Sequence, residues 1–258
     1  MSDVSLPLAV AALVVVFLAG VVRGFSGFGF SALCVAAMSL FLPPARVVPP
    51  IFVLEILASV SLLRGAWPHV DWRWMGWLAL GNAIFIPVGV WVLAFVDEVP
   101  LRLLIGAMLL AAALALRRDT RLALAPTPLV GLASGVLSGF FNGVAAIGGM
   151  AVAVLFSAAK MEPHRLRATM IVLLLGTDLY ALAWAGILPA ASHGGGGLLG
   201  PETFVWAACL LPAMLAGIWV GQRSFAGISP QQFRRHVLNL LAVIALVTVG
   251  RALWSLLA

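Results

Sequence analysis

The chain has 258 residues, 63% of them hydrophobic and 9% charged, with a mean hydropathy of +1.14 and a formal net charge of +6. That makeup lies far outside a soluble globular domain and describes a polytopic membrane protein. The positive balance is no nucleic-acid signal, because the arginines sit at loop ends, where orientation on a membrane accounts for them; no nucleic-acid partner is expected.

Crossing a ~30 Å hydrocarbon core takes about 20 helical residues. On that ruler apolar segments fall near 6–24, 27–42, 46–64, 73–95 and 99–116, then near 127–142, 146–160, 164–186, 203–223 and 231–257. The first has no basic n-region and is followed by membrane-length apolar segments to the end of the chain, so it reads as a membrane segment and not as a cleaved leader. The second, the seventh and to a lesser degree the sixth are short for full spans. Broken or re-entrant helices are expected there, and these are tolerated only where protein or a water-filled cavity shields the backbone. The number of spans then lies between seven and ten. Cys34 and Cys209 fall inside apolar runs without metal-ligand or CxxC spacing and read as packing residues. Trp67, Trp72, Trp74 and Trp77 flank or open the fourth segment, where indole rings suit the headgroup layer.

The loops carrying Arg64 and Arg73, Arg117, Arg118 and Arg121, Lys160, Arg165 and Arg167, and Arg223, Arg234 and Arg235 all fall on one face. That face is cytoplasmic by the positive-inside rule. The opposite loops hold Asp97, Glu98, Glu202 and the tract His193-Gly194-Gly195-Gly196-Gly197, with Arg46 and Arg102 as basic exceptions. Both termini are therefore expected outside a cell inner membrane.

A gapless shift of 119 positions lays Gly20, Gly24, Gly29, Pro44, Arg46, Val53 and Leu54 on Gly139, Gly143, Gly148, Pro163, Arg165, Val172 and Leu173. The chain is an internal duplication: a first membrane repeat over 1–118, a cytoplasmic linker over 119–126 and a second repeat over 127–258. Five segments per half is an odd number, so the copies enter the membrane from opposite sides. The fold class expected is an all-α polytopic membrane protein of two inverted-topology repeats, with short or broken helices at the glycine-rich motifs. Matched interruptions of this kind mark the binding region of secondary carriers, where one repeat rocks against the other.

Polar groups at membrane depth are costly, so each is a functional candidate. Glu55 lies near the middle of the third segment and Asp178 in the matching eighth, and the shift pairs Asp178 with Ser59, one helical turn from Glu55. These acids, with Ser59 and Thr177, read either as a coupling proton relay or as groups that lock helices together. The glycines read in two ways as well. Gly20-x-x-x-Gly24 and Gly135-x-x-x-Gly139-x-x-x-Gly143 suit close helix packing. Ser26, Gly27, Gly29 and Ser31 in one copy, and Asn142, Gly143, Gly148 and Gly149 in the other, could open helix N-termini whose N–H groups face an anion. Arg23, whose repeat partner is Asn142, is a guanidinium for an oxyanion if the chain breaks at mid-membrane, and reaches the interface if the first helix is unbroken. Arg46 and Arg165 follow prolines at helix starts and read as corner anchors, gates or substrate contacts. His69, His164 and His193 look solitary, so no metal site is assigned. No cofactor is expected, and no nucleophile elbow, phosphate loop or triad spacing points to an enzyme.

The run LAGVVRGFSGFGFSAL, the following PPARVVPPIFVLEILASVSLLRGAWPHVDWRWM, the closing PVGVWVLAFVDEVPLRLLIGAMLL and the second copy through LAGIWVGQRSFAGISPQQFRR together resemble the sulfite exporter TauE/SafE family of membrane permeases. The likeness covers nearly the whole chain. It implies a multi-pass carrier of small sulfur-containing anions such as sulfite, thiosulfate, sulfoacetate and other organosulfonates. The first copy departs from the family's glycine run, with Phe30 and Ser31 after Gly29 where the second keeps Gly148-Gly149, which makes the two half-sites chemically unequal. The partners expected are the anion, the lipid bilayer and, left open, a second copy of the chain. A channel for the same anions and a non-transporting membrane assembly factor remain alternatives.

Overall fold

The computed structural model describes residues 6–117, 127–159, 161–188, 197–223 and 230–257. Arg118, Arg121, Lys160, His193 to Gly196 and the linker 119–126 lie outside the described residues. The elements are α1 (Leu6–Ser26), α2 (Phe30–Met38), α3 (Pro44–Ala66), a 3-10 turn (Trp67–His69), α4 (Trp72–Phe95) and α5 (Glu98–Arg117). They continue as α6 (Pro128–Ala145), α7 (Gly148–Ala158), α8 (Pro163–Ile187), α9 (Pro201–Arg223) and α10 (Pro230–Leu257). Prolines at or next to the first position start α3, α6 and α8, where a missing N–H costs nothing and φ is already helical. Asp71 and Thr127 cap α4 and α6 by accepting from the N–H groups of Arg73 and Val130.

Among the described residues, seven helices are long and apolar enough to cross a membrane: α1, α3 with its 3-10 turn, α4, α5, α6, α8 and α9. The protein is an all-helical, multi-pass membrane protein. Its outward face is apolar, with Leu6, Val14, Leu18, Ile84, Trp91, Trp219 and Val243 each more than half exposed. Helix α6, expected to be marginal, has 18 residues and counts among the seven. Helices α2 and α7 have 9 and 11 residues, about 14 and 17 Å of rise, half of a membrane crossing. The α1–α2 break is made by Gly27 and Gly29, both in the left-handed region (φ 81° and 89°), and the α6–α7 break by Ala146 at φ 58°.

Helix α1 packs on α9, and α6 packs on α4, each pair running in the same direction. Along α1/α9 a Cβ on Gly20 would stand 2.6 Å from the Met214 carbonyl oxygen and 3.2 Å from the Gly217 Cα. Along α4/α6 a Cβ on Gly89 would stand 2.6 Å from the Phe140 carbonyl oxygen and 2.8 Å from the Gly143 Cα. Backbone thus lies against backbone, the packing that small residues allow where water supplies no driving force between helices. Helix α3 packs on α8, and α5 on α10. The end of α3 and the start of α8 lie together, since the His69 and His164 rings are 5.7 Å apart, so these two central helices run in opposite directions. Asp71 N–H donates to the buried Thr169 hydroxyl at 2.9 Å across the same joint. Thr169→Val is expected to cost about 1 kcal/mol, the net value of one such bond, measured as a shift in the unfolding midpoint of purified protein.

One expected anchor is corrected. Trp67, Trp72 and Trp77 are exposed, and Trp67 and Trp72 stack edge to face at 5.2 Å. Trp74 is buried, with its ring 5.8 Å from Phe156. It opens α4 in sequence, but the helix turns it toward α7, so it packs inside the bundle.

Candidate functional site

The two breaks bring together the costliest residues of the chain. In the first half Arg23, on the last turn of α1, is fully buried and α1 is unbroken through Ser26. Its burial rules out the reach to the interface, and in this structure its guanidinium is taken up by internal partners. Its Nη1 donates to the Gly27 carbonyl at 2.6 Å, closing the break over its own side chain. Its Nη2 donates to Ser59 Oγ at 2.6 Å and lies 3.1 Å from Glu55 Oε2. Glu55 Oε1 accepts from the Ser31 N–H at the start of α2, at 3.2 Å. The N-terminus of a half-helix and a guanidinium therefore converge on one carboxylate, the arrangement that binds an anion. Here the protein's own Glu55 fills it.

The second half repeats this bonding with different chemistry. Asn142 Nδ2 donates to Asp178 Oδ1 at 2.8 Å. Arg23 to Ser59 and Asn142 to Asp178 are each 36 positions apart, and a shift of 119 carries one pair onto the other. Gly148 N–H donates to Asn142 Oδ1 at 3.3 Å, and Ser138 Oγ lies 3.2 Å from both Asn82 Oδ1 and the Gly148 carbonyl. Asp178 is 1% exposed, and its Oδ2 has no hydrogen-bond partner among the described residues. The first half thus holds an ion pair and the second a carboxyl paired only with an amide.

Above the first break lies a cavity of about 850 Å³ that opens at the end of α3, the start of α8 and the end of α9. Ser26 and Gly29 from the break, Ser61 from α3, Met150 and Ala153 from α7, and Arg167 from α8 line it, and His69, His164 and Gln222 stand on its wall. Arg167 Nη2 donates to the Gly24 carbonyl at 2.8 Å, and its aliphatic stem covers Gly27. A positive charge is thereby held on the wall directly over the break.

Several expected site residues lie elsewhere. Gly143 is consumed by packing, since a Cβ would stand 2.8 Å from Gly89 Cα on α4. A Cβ on Gly148 would meet the Ser138 carbonyl oxygen at 2.6 Å and Asn142 Cβ at 2.7 Å, and one on Gly149 would meet Leu174 at 3.2 Å. These three glycines of the second copy are therefore taken up by close packing. Ser26 does line the cavity, with its Oγ held by the Val22 and Phe28 carbonyls at 2.8 and 2.7 Å, whereas Thr177 Oγ1 is held by Leu174 on its own helix at 3.2 Å. Arg46 and Arg165 are exposed, and Arg165 Nε lies 3.7 Å from Glu162. Sequence reasoning missed Arg167 as a cavity residue and treated His69 and His164 as solitary. The α3/α8 joint brings the two rings together from 95 positions apart. Among the described residues no group of three or more His, Cys, Asp or Glu could hold a metal.

Residues 12–248 match the family described as Sulfite exporter TauE/SafE. A protein of Cupriavidus necator named as a probable sulfite/organosulfonate exporter TauE is 29% identical over 231 residues, 84% of each chain. No solved structure gives a significant match. With its glycine-broken helix pairs, its buried charges at the breaks and a match spanning nearly its full length, the chain belongs to the sulfite exporter TauE/SafE family.

Proposed function

We propose that the protein is a secondary carrier that moves small sulfur-containing anions, such as sulfite, thiosulfate or organosulfonates, across the cell inner membrane. The observation that carries this reading is the cavity: its lining runs from His69, His164 and Gln222 at helix ends, past Arg167, to Ser26 and Gly29 at the first glycine break, the break that Arg23 closes from its other side. An access path that ends part-way through the bundle is what a carrier presents in one of its two states. The name of the C. necator relative supports the substrate class. Arg64, Arg73, Arg117, Arg165, Arg167 and Arg223 lie at or near the helix ends on the side of the bundle where His69, His164 and Gln222 line the cavity. By the positive-inside rule that end is cytoplasmic, which leaves both termini outside. The exchange of packing partners, α1 with α9 and α6 with α4, and the opposed α3 and α8 support two inverted halves, 1–118 and 127–258, joined by the linker 119–126. A charge crossing the membrane exchanges about 2.3 kcal/mol per 100 mV with the field, so a potential negative inside helps an anion that crosses alone to leave, one proton per monovalent anion makes the step indifferent to the potential, and uptake driven by the potential needs more than one.

The test is counter-exchange of radiolabelled thiosulfate, sulfite and sulfoacetate in proteoliposomes. Saturable exchange of at least one is expected. Arg167→Gln is expected to raise its KM about 10- to 100-fold, the equivalent of one hydrogen bond to a charged group, and Arg167→Lys to raise it less. Flux that does not saturate would establish a channel. Absence of exchange for every sulfur anion, by folded protein in the bilayer, would overturn the reading.

A further inference from the structure

The first-half site has the parts of an anion site and already contains an anion. Four observations converge. The Ser31 N–H at the start of α2, a helix of 9 residues, points at a carboxylate oxygen. The Arg23 guanidinium, 0% exposed, lies against the other oxygen of that carboxylate. Arg23 Nε has no hydrogen-bond partner among the described residues and is buried with the rest of the side chain. Gly29 and Ser26, which bound the break, form the floor of the cavity on the other side. A carboxylate that belongs to α3 thus sits where an anion arriving through the cavity would be bound.

Resting on the carrier reading, we infer that Glu55 is an internal stand-in for the transported anion: it leaves the Arg23 and α2 N-terminus site by taking a proton, and the substrate oxyanion takes its place. The step balances. A proton from solvent joins the Glu55 carboxylate to give a neutral carboxylic acid, the Arg23 to Glu55 ion pair is broken, and an ion pair between Arg23 and a monovalent anion forms. No net charge is added to the membrane interior, whose cost for unpaired ions is high. One proton therefore accompanies each monovalent anion, and on the far side Glu55 releases its proton and displaces the anion. Among the described residues, the charged or titratable groups facing Glu55 are Arg23 on α1, the Cys34 thiol on α2 and Asp178 on α8. Only Arg23 is a cation among them, so the substrate and the Glu55 carboxylate compete for one positive partner. The second half lacks this device because Asn142 stands where Arg23 would be. Asp178 there is tied to the Asn142 amide and lies seven residues, about 10 Å of helix, beyond Ile171 on the cavity wall.

The experiment uses the intact protein in chloride-free buffer with thiosulfate and methanesulfonate as probes, both of which stay ionised near neutral pH. Calorimetric titration in two buffers of different ionisation enthalpy counts protons taken up on binding. About one proton per methanesulfonate is expected, with affinity falling about tenfold per pH unit on the alkaline side. Glu55→Gln should abolish both the proton uptake and the pH dependence. It should also make folding depend on the anion, because Arg23, left with the neutral Gly27 carbonyl and Ser59 hydroxyl, then has no anionic partner until one binds: either probe is expected to raise the variant's unfolding temperature more than the intact protein's. Binding by intact protein without proton uptake would overturn the inference and leave the carrier reading standing, and it decides the matter even if the variant does not fold. Failure of both probes to bind, together with no exchange of any sulfur anion in proteoliposomes, would overturn both.

Discussion

Arg23→Met is expected to lower the stability of the protein by about 3–5 kcal/mol, because it leaves the Glu55 carboxylate buried without its cation. Glu55 is 1% exposed, and its partners are the Ser31 N–H and the Arg23 guanidinium. The loss should be visible as a lower midpoint of unfolding in a mild detergent. The double variant Arg23→Met, Glu55→Gln should recover most of it, since no ion is then left unpaired. That recovery separates a charge effect from a packing effect: had Arg23 served through its aliphatic stem alone, the second substitution would add damage instead of relieving it. A double variant no more stable than Arg23→Met would contradict the ion-pair account.

Gly143→Leu is expected to be at least as damaging, at about 3 kcal/mol or more, because the added side chain has nowhere to go. Any Cβ there would already meet the Ile86 carbonyl and stand 2.8 Å from Gly89 Cα. Backbone cannot yield as a flexible side chain can, so α4 and α6 would have to separate along their length. Gly65→Ala and Gly176→Ala are the matched controls, since a Cβ at either meets nothing within 4 Å. Each should be neutral or stabilise by about 0.5–1 kcal/mol through the better helix propensity of alanine. The readout is the yield of monodisperse protein and its unfolding midpoint. Comparable behaviour of Gly143→Leu and the controls would refute the backbone-to-backbone contact.

The gapless shift of 119 was the most legible pattern in the chain, because it needs no structure to be seen. It placed Arg23 over Asn142 and Ser59 over Asp178, and these four residues form the two matching hydrogen bonds. The two half-helices were legible for a similar reason: an apolar run too short to span announces its own break. Which glycines pack and which bound a cavity was not legible, because Gly24, Gly29, Gly143 and Gly148 differ only in what lies opposite. Gly29 sits at φ 89° on the cavity floor, whereas Gly24, Gly143 and Gly148 face backbone. Nor did spacing reveal that Glu55 takes the N-terminus of α2, since Glu55 and Ser31 meet only when α3 folds back along the half-helix. Arg167 was hidden among the loop cations. Its role comes from a contact with Gly24, 143 positions away in sequence.

The same-direction pairing of α1 with α9 and α6 with α4 bears on how the chain is made. Helix α6 meets its partner soon after leaving the ribosome, because α4 is already in the bilayer. Helix α1, made before α9, sets Gly20 and Gly24 against the backbone of Met214, Gly217 and Ile218 on α9, so that face waits in lipid until α9 has been synthesised. Assembly of the bundle is therefore a late event, closed by α9. A chain cut short before α9 would leave α1 with an unmatched groove of exposed backbone, the kind of surface that membrane quality control can read.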